Sequence, residues 1–167
     1  MKREIARTLS ILFIFCSFSV LAEEQPEQRV EGTFGDWVKL CTDRDERTVC
    51  QIVQTANHES GRLVFQTAVG YVADNDRPVM YLTAPLGIFL PKGISLIVDE
   101  DENGVRATVL RCDENGCLAV LAMSDELLAR LKRGNEARLF FGATAQRNVE
   151  IPLSLAGFTD GFESLEP

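Results

Sequence analysis

Four cysteines in two close pairs, Cys41 with Cys50 and Cys112 with Cys117, are the residues of this chain best suited to covalent chemistry. Thiols at short spacings can hold zinc, cycle as a redox dithiol, or close disulfides. Zinc sites favour two-residue spacers and often include histidine, whereas these pairs have spacers of eight and four residues. The single histidine, His58, is distant from both pairs, and no CxxC motif is present. Structural disulfides are therefore the expected use. Three pairings are possible, and local spacing favours Cys41–Cys50 with Cys112–Cys117.

The other candidate chemistry is thin. A hydrolase triad needs a base beside a nucleophile, and His58 lies in Asn57-His58-Glu59-Ser60-Gly61, which reads as an exposed hairpin turn. Paired carboxylates would serve glycoside hydrolysis, but the acidic residues cluster in turns, where solvent keeps them ordinary. Asp99-Glu100-Asp101-Glu102-Asn103-Gly104 matches the opening of a calcium loop. Its twelfth position is Leu110 rather than a bidentate Glu, and its flanks read as strands rather than helices. No phosphate-cradling glycine motif and no nucleophile elbow is present. The expectation is a protein with no catalytic residues, no metal and no cofactor. A domain binding calcium or a small ligand, with a hydrolytic or regulatory role, is the alternative.

The elements that must position these residues begin after an export signal. Lys2, Arg3 and Arg7 form a basic start, Leu9 to Leu21 is apolar apart from three serines, and Val20-Leu21-Ala22 fits a cleavage site. The apolar run is short for a bilayer span. Phe15 stands before Cys16 where a lipidation box wants a small residue, so Cys16 is expected to leave with the signal. Residues 1–22 are thus a signal peptide, 23–31 (EEQPEQRVE) a flexible leader, and 32–167 a single domain. With the signal removed, 14 Lys and Arg face 24 Asp and Glu, because the signal holds three of the 17 basic residues and one of the 25 acidic ones. Such a balance excludes the basic footprint of a nucleic-acid binder and disfavours adhesion to anionic lipid. No transmembrane segment is expected after cleavage, and the four remaining cysteines suit an oxidising compartment. A periplasmic or outer-envelope location, or secretion beyond it, follows as an expectation.

Hydrophobic periodicity then predicts strands along nearly the whole mature chain. They are expected over 37–41, 47–56, 62–72, 78–83, 94–98, 105–110, 117–123, 137–143 and 149–155. One helix is predicted after Ser124, with Asp125 and Glu126 at its start, an apolar face of Leu127, Leu128 and Leu131, and Gly134 to stop it. About nine short strands with one helix predict an all-β, immunoglobulin-like or jelly-roll antiparallel β-sandwich. Two apolar features read as candidate partner surface for a protein or envelope component. One is Ile88-Phe89-Leu90, held between Pro85-Leu86-Gly87 and Pro91-Lys92-Gly93; the other is Phe158 with Phe162. The alternative is that both plug the ends of the sandwich. The sequence leaves the oligomeric state unassigned.

An ordered set of segments also resembles the invasion-associated locus B (IalB) family. It comprises Phe34-Gly35-Asp36-Trp37 with Cys41, Cys50-Gln51, the proline–glycine segment from Pro85 to Gly93, Cys112 with Gly116-Cys117, and Ser154-Leu155-Ala156-Gly157-Phe158. The resemblance implies an exported protein of a Gram-negative bacterium with an immunoglobulin-like β-sandwich fold. It also implies membership of a virulence-associated family named for a part in host-cell entry, and it supplies no catalytic residues.

Overall fold

A computed structural model describes residues 27–44, 47–57, 63–72, 75–100 and 104–165. The expected signal segment 1–22, residues 23–26 of the expected leader and His58 lie outside the described residues. Ten strands and two short helices follow one another: β1 (Gln28–Phe34), β2 (Trp37–Arg44), β3 (Arg47–Asn57), β4 (Leu63–Val72), β5 (Asn75–Ala84), β6 (Ile94–Val98), β7 (Val105–Asp113), β8 (Gly116–Ala122), α1 (Asp125–Arg133), β9 (Glu136–Gly142), β10 (Asn148–Ser154) and α2 (Phe158–Glu163). The fold class is all-β and antiparallel, as expected. There is one strand more and one helix more than periodicity predicts. The leader expected over 23–31 is also too long, because β1 begins at Gln28 and pairs with β2 from Gln28↔Thr42 to Phe34↔Trp37.

All ten strands belong to one sheet in the order β1-β2-β3-β4-β5-β8-β7-β6-β9-β10, curled into a half-barrel so that its two ends face each other. The bend falls on β7. Val105 to Ala107 pair with β6, while Thr108 to Asp113 pair with β8, with a bulge between Val109 and Arg111. One strand thus shares its hydrogen bonds between the two layers, and a bulge supplies the local twist that turns one layer over the other. The layers are β1–β5 with β8, and β6 with β9 and β10.

Period-two alternation puts one side of every central strand into the space between the layers. Ile94, Leu96 and Val98 point in from β6; Phe65, Thr67 and Val69 from β4; Met80, Leu82 and Ala84 from β5; Ala137, Leu139 and Phe141 from β9. Phe65 stacks on Phe141 across the layers at 6.1 Å between ring centroids. Helix α1 closes one end. The Ser124 hydroxyl accepts the Leu127 N–H at 3.1 Å, acidic Asp125 and Glu126 sit in the first turn, and Leu127 and Leu131 are buried.

The open edge of the half-barrel is closed without a backbone ladder. The β1–β2 turn, Gly35-Asp36, crosses the segment after β10, where Asp36 N–H donates to Ala156 C=O at 3.1 Å. Gly35 (φ 54°) and Gly157 (φ 82°) face each other at this crossing. A Cβ on Gly157 would sit 2.0 Å from the Phe34 carbonyl oxygen, and one on Gly35 would sit 2.4 Å from that of Ala156. Beside them the Trp37 indole N–H (2.9 Å) and the Gln54 amide N–H (3.0 Å) both donate to Ser154 C=O, while Gln54 Oε1 accepts Ser154 N–H at 2.9 Å. One glutamine side chain thereby gives β10's last peptide the two bonds that a neighbouring strand would give it.

Replacing Gly157 by Ala adds both left-handed backbone strain and a collision with backbone, so a loss of roughly 2–5 kcal/mol is expected. Gln54→Ala, which leaves the Ser154 N–H without its acceptor, is expected to lose roughly 1–3 kcal/mol. Urea unfolding with the disulfides intact measures both. Wild-type midpoints in both variants would show that the crossing does not hold the edge closed.

Candidate functional site

Both cysteine pairs are disulfides between residues directly opposite in a hairpin. Cys41 on β2 is bonded to Cys50 on β3, and Cys112 on β7 to Cys117 on β8, with Cα–Cα distances of 4.1 and 4.0 Å. Glu31 lies with Cys41 and Cys50 in the one cluster of potential metal ligands among the described residues. The two sulfurs are bonded to each other, which leaves a single carboxylate and no ligand set for a cation.

Several acidic residues that invite a chemical reading are engaged in holding turns. Asp99 adopts φ 51°, and its Oδ1 accepts the N–H groups of Asn135 (2.9 Å) and Glu136 (3.1 Å), joining the end of β6 to the start of β9. These two bonds, the Asn135 one foremost, hold the Asp99 carboxyl below the usual carboxylate range. Arg138 donates to the Asp99 carbonyl at 3.1 Å. Asp113 does the same work beside the second disulfide, where its carboxylate accepts Asn115 N–H at 2.9 Å and pairs with Arg111 at 3.1 Å. Asp43 is engaged by Arg29 and by the Thr48 hydroxyl, and its carboxyl too is lowered, by the Arg29 bond first. Of the calcium-like turn, Asp99 is therefore committed to backbone, Glu100 is exposed, and residues 101–103 lie outside the described residues.

The aromatic candidates part company. Phe158 and Phe162 are 0% and 5% exposed. Phe158 meets Trp37 edge to face at 5.3 Å between centroids, and Phe162 packs on Phe158 and Tyr71. They plug the core through α2, so the reading of them as partner surface is corrected. Nothing in the linear sequence distinguishes the two, because a six-residue helix with Gly161 inside it has no legible period.

The loop from Pro85 to Gly93 behaves differently. Phe89 N–H donates to Gly142 C=O at 2.7 Å, Lys92 N–H to Phe89 C=O at 3.1 Å, and Gly93 N–H to Leu90 C=O at 2.9 Å. The Lys92 ammonium reaches Asn148 Oδ1 at 2.7 Å, and Arg106 donates to Lys92 C=O. Ile88 packs against the core and Phe89 is half-buried, so of the three predicted residues only Leu90 is exposed (51%). Leu86, which the sequence reading did not single out, is exposed at 57%. It forms one wall of a cleft of about 460 Å³ with Pro85, Val64 and the Glu114-Asn115-Gly116 turn of the second disulfide hairpin. The loop and the Cys112–Cys117 staple thus form one fixed rim. Its chemistry is apolar contact bounded by an acidic side chain. Among the described residues it brings no nucleophile and base together.

The pH dependence of the Asp99 turn follows from its direction of shift. A carboxyl lowered on folding adds stability that is complete above its unfolded value of about 3.9 and is lost as pH falls through the lower folded value. Asp99→Asn, which tolerates the same backbone region, is expected to be less stable than wild type at pH 6. The difference should narrow as the pH is taken below 4. A pH-independent difference in urea midpoint would remove the carboxylate from the account.

Comparison with known proteins agrees with this architecture. The family model described as Invasion associated locus B (IalB) protein matches residues 37–166. An invasion protein B homolog from Brucella abortus (strain 2308) is 27% identical over 167 residues, covering 96% of this chain and 95% of its own. Invasion protein B of Bartonella bacilliformis is 24% identical over 141 residues, covering 80% of this chain and 73% of its own. The crystal structure of invasion associated protein b from Bartonella henselae superposes with a TM-score of 0.69 at 24% identity, covering 77% of this chain and 89% of that one, and so shares its fold. The chain belongs to the invasion-associated locus B family.

Proposed function

We propose that this protein is an exported, non-enzymatic envelope or periplasmic domain that binds a protein or envelope component through the rigid rim formed by Leu86 and Leu90. The observation that carries the reading is the state of that loop. Two large apolar side chains stand in solvent on a backbone fixed by hydrogen bonds to β9 and by packing of Ile88 beneath it. A loop that served only to cover the core would turn these side chains inward. Pre-organised apolar side chains bind with little ordering cost, which favours a recognition role. Membership of a family whose relatives are named invasion protein B supports an action at the bacterial surface or on the way to it. Two disulfides and the basic–apolar–small pattern of residues 1–22 support export.

Two measurements test this. Export predicts that protein recovered from the cell envelope fraction begins at Glu23; a chain still carrying Met1 in the cytoplasm would overturn it. For the rim, the paired variant Leu86→Asp with Leu90→Asp is expected to fold with wild-type thermal stability, since both side chains are already in water. It should lose the envelope proteins that cross-link to wild type in intact cells. An unchanged cross-link pattern, read by mass spectrometry, would remove the loop from the binding surface.

A further inference from the structure

A second surface points to a partner of another kind. In an antiparallel half-barrel the side of the sheet away from the core normally carries the polar half of the alternation. Across β2, β3, β4, β5 and β8 it does not. The outward positions from Val38 to Thr42, Val49 to Thr55, Val64 to Val72, Val79 to Thr83, and Leu118 to Ala122 include no Asp, Glu, Lys or Arg, in a chain that is 25% charged. Register aligns Val38, Val53, Ala68, Tyr81 and Val120 as one apolar row across five paired strands, with Val53 and Ala68 buried between their neighbours and Val38, Tyr81 and Val120 half-exposed. Three exposed large apolar residues, Val30 (67%), Val49 (40%) and Val72 (39%), extend the same face toward β1 and the strand ends. The other layer follows the ordinary rule, with Arg138 on β9 and Glu150 on β10 paired at 3.7 Å on its outer side.

The face is also shaped. A hollow of about 820 Å³ runs over Gly70, which has no side chain to fill it, and is bounded by Val49, Gln51, Tyr81 and Leu118. Tyr81 lines it from the outer face, Tyr71 reaches its edge from the core side, where it packs on Phe162, and Arg44 and Arg47 stand at one end. Tyrosine and arginine at the edge of an apolar hollow are the residue types that carry binding energy in protein interfaces.

We propose that this uncharged outer face is the contact between two copies of the chain, packed sheet on sheet, with Tyr81 of each copy entering the hollow of the other. Chemistry selects this occupant. Nucleic acid or anionic lipid would require a basic face, whereas here Arg44 and Arg47 stand at one end only and the middle of the face carries no basic residue. A partner chosen by charge would need charge to read. Two copies that each carry 24 acidic against 14 basic residues once residues 1–22 are removed repel one another least through surfaces without charge, and the middle of this face is such a surface. The area suffices. Five strands about 4.8 Å apart and about six residues long present roughly 500 Å² per copy, or about 1,000 Å² for the pair, the size that a specific interface must reach. The proposal does not rest on the loop rim: Val64 and Thr83 at one end of this face line the cleft beside Leu86, but neither Tyr81 nor Val120 does.

The test is sedimentation equilibrium of the protein as the cell exports it, over about 1–100 μM. The expected result is a dimer. Tyr81→Glu and Val120→Glu, adjacent in the same cross-strand row, should each weaken the dimer at least about 100-fold, while Ile97→Glu on the other layer should leave it intact. A native circular dichroism spectrum and a cooperative thermal transition of the monomeric variant, lower than that of the dimer by mass action, show that folding is kept; should Tyr81→Glu not fold, Val120→Glu is read alone. A monomer throughout the range would overturn the proposal, whether the face is covered by the chain's own leader, by a different protein or by nothing. So would a dimer that survives both substitutions. The Leu86 and Leu90 variants are expected to remain dimeric, so failure of this proposal and failure of the rim can be told apart.

Discussion

The crossing of Gly35 and Gly157 is the constraint on which the rest of the structure rests. A sheet of ten strands with two free ends has no reason to stay curled unless those ends are joined, and here a ladder does not join them. Two backbones pass so closely that neither could carry a Cβ, and the Trp37 and Gln54 side chains finish the hydrogen bonding of the Ser154 peptide. The turn at Gly157 starts α2 and so delivers Phe158 to Trp37 and Phe162 to Tyr71. The Cys41–Cys50 disulfide lies further along the β2–β3 pair that supplies Trp37 and Gln54. The two segments that meet, Phe34 to Trp37 and Ser154 to Phe158, are the opening and closing pieces of the family pattern.

Much of this was legible in the chain, and the parts that were not share a physical cause. Strand β10 announces itself by the alternation of Val149, Ile151 and Leu153 with Glu150, Pro152 and Ser154, and α1 by an N-cap, an apolar face and a terminal glycine. β1 does not, because an edge strand with exposed residues on both sides has no apolar period to read; it is held by pairing with β2 and by Arg29 on Asp43. Helix α2 is too short to form from its own propensity and exists because its phenylalanines are buried. The single continuous sheet was also hidden, since the alternation of β7 is the same whether its neighbours lie in one layer or two.

The candidate site divides along the same line. Proline and glycine spacing locates the Pro85–Gly93 loop, but a loop has no repeat that says which side chain turns inward. Ile88 faces the core and Leu90 faces water for reasons that lie in β9, at the Gly142 carbonyl. Acidic runs that resemble metal loops or acid–base pairs prove to hold turns, with Asp99 and Asp113 each bound to backbone N–H groups close to a reversal of the chain. The disulfides likewise join residues already opposed in register, so they reinforce hairpins and leave the long-range closure to the glycine crossing.

That closure spans 117 residues between Trp37 and Ser154. Contacts so distant in sequence form late and slowly, because the entropy of bringing the chain ends together must be overcome before they contribute. The core lacks its Phe158 plug until the segment after β10 has folded back onto Trp37. A chain on its way to the native state can therefore hold its two disulfide hairpins before the barrel is closed. The same crossing that fixes the native shape thus makes closure the late step in reaching it.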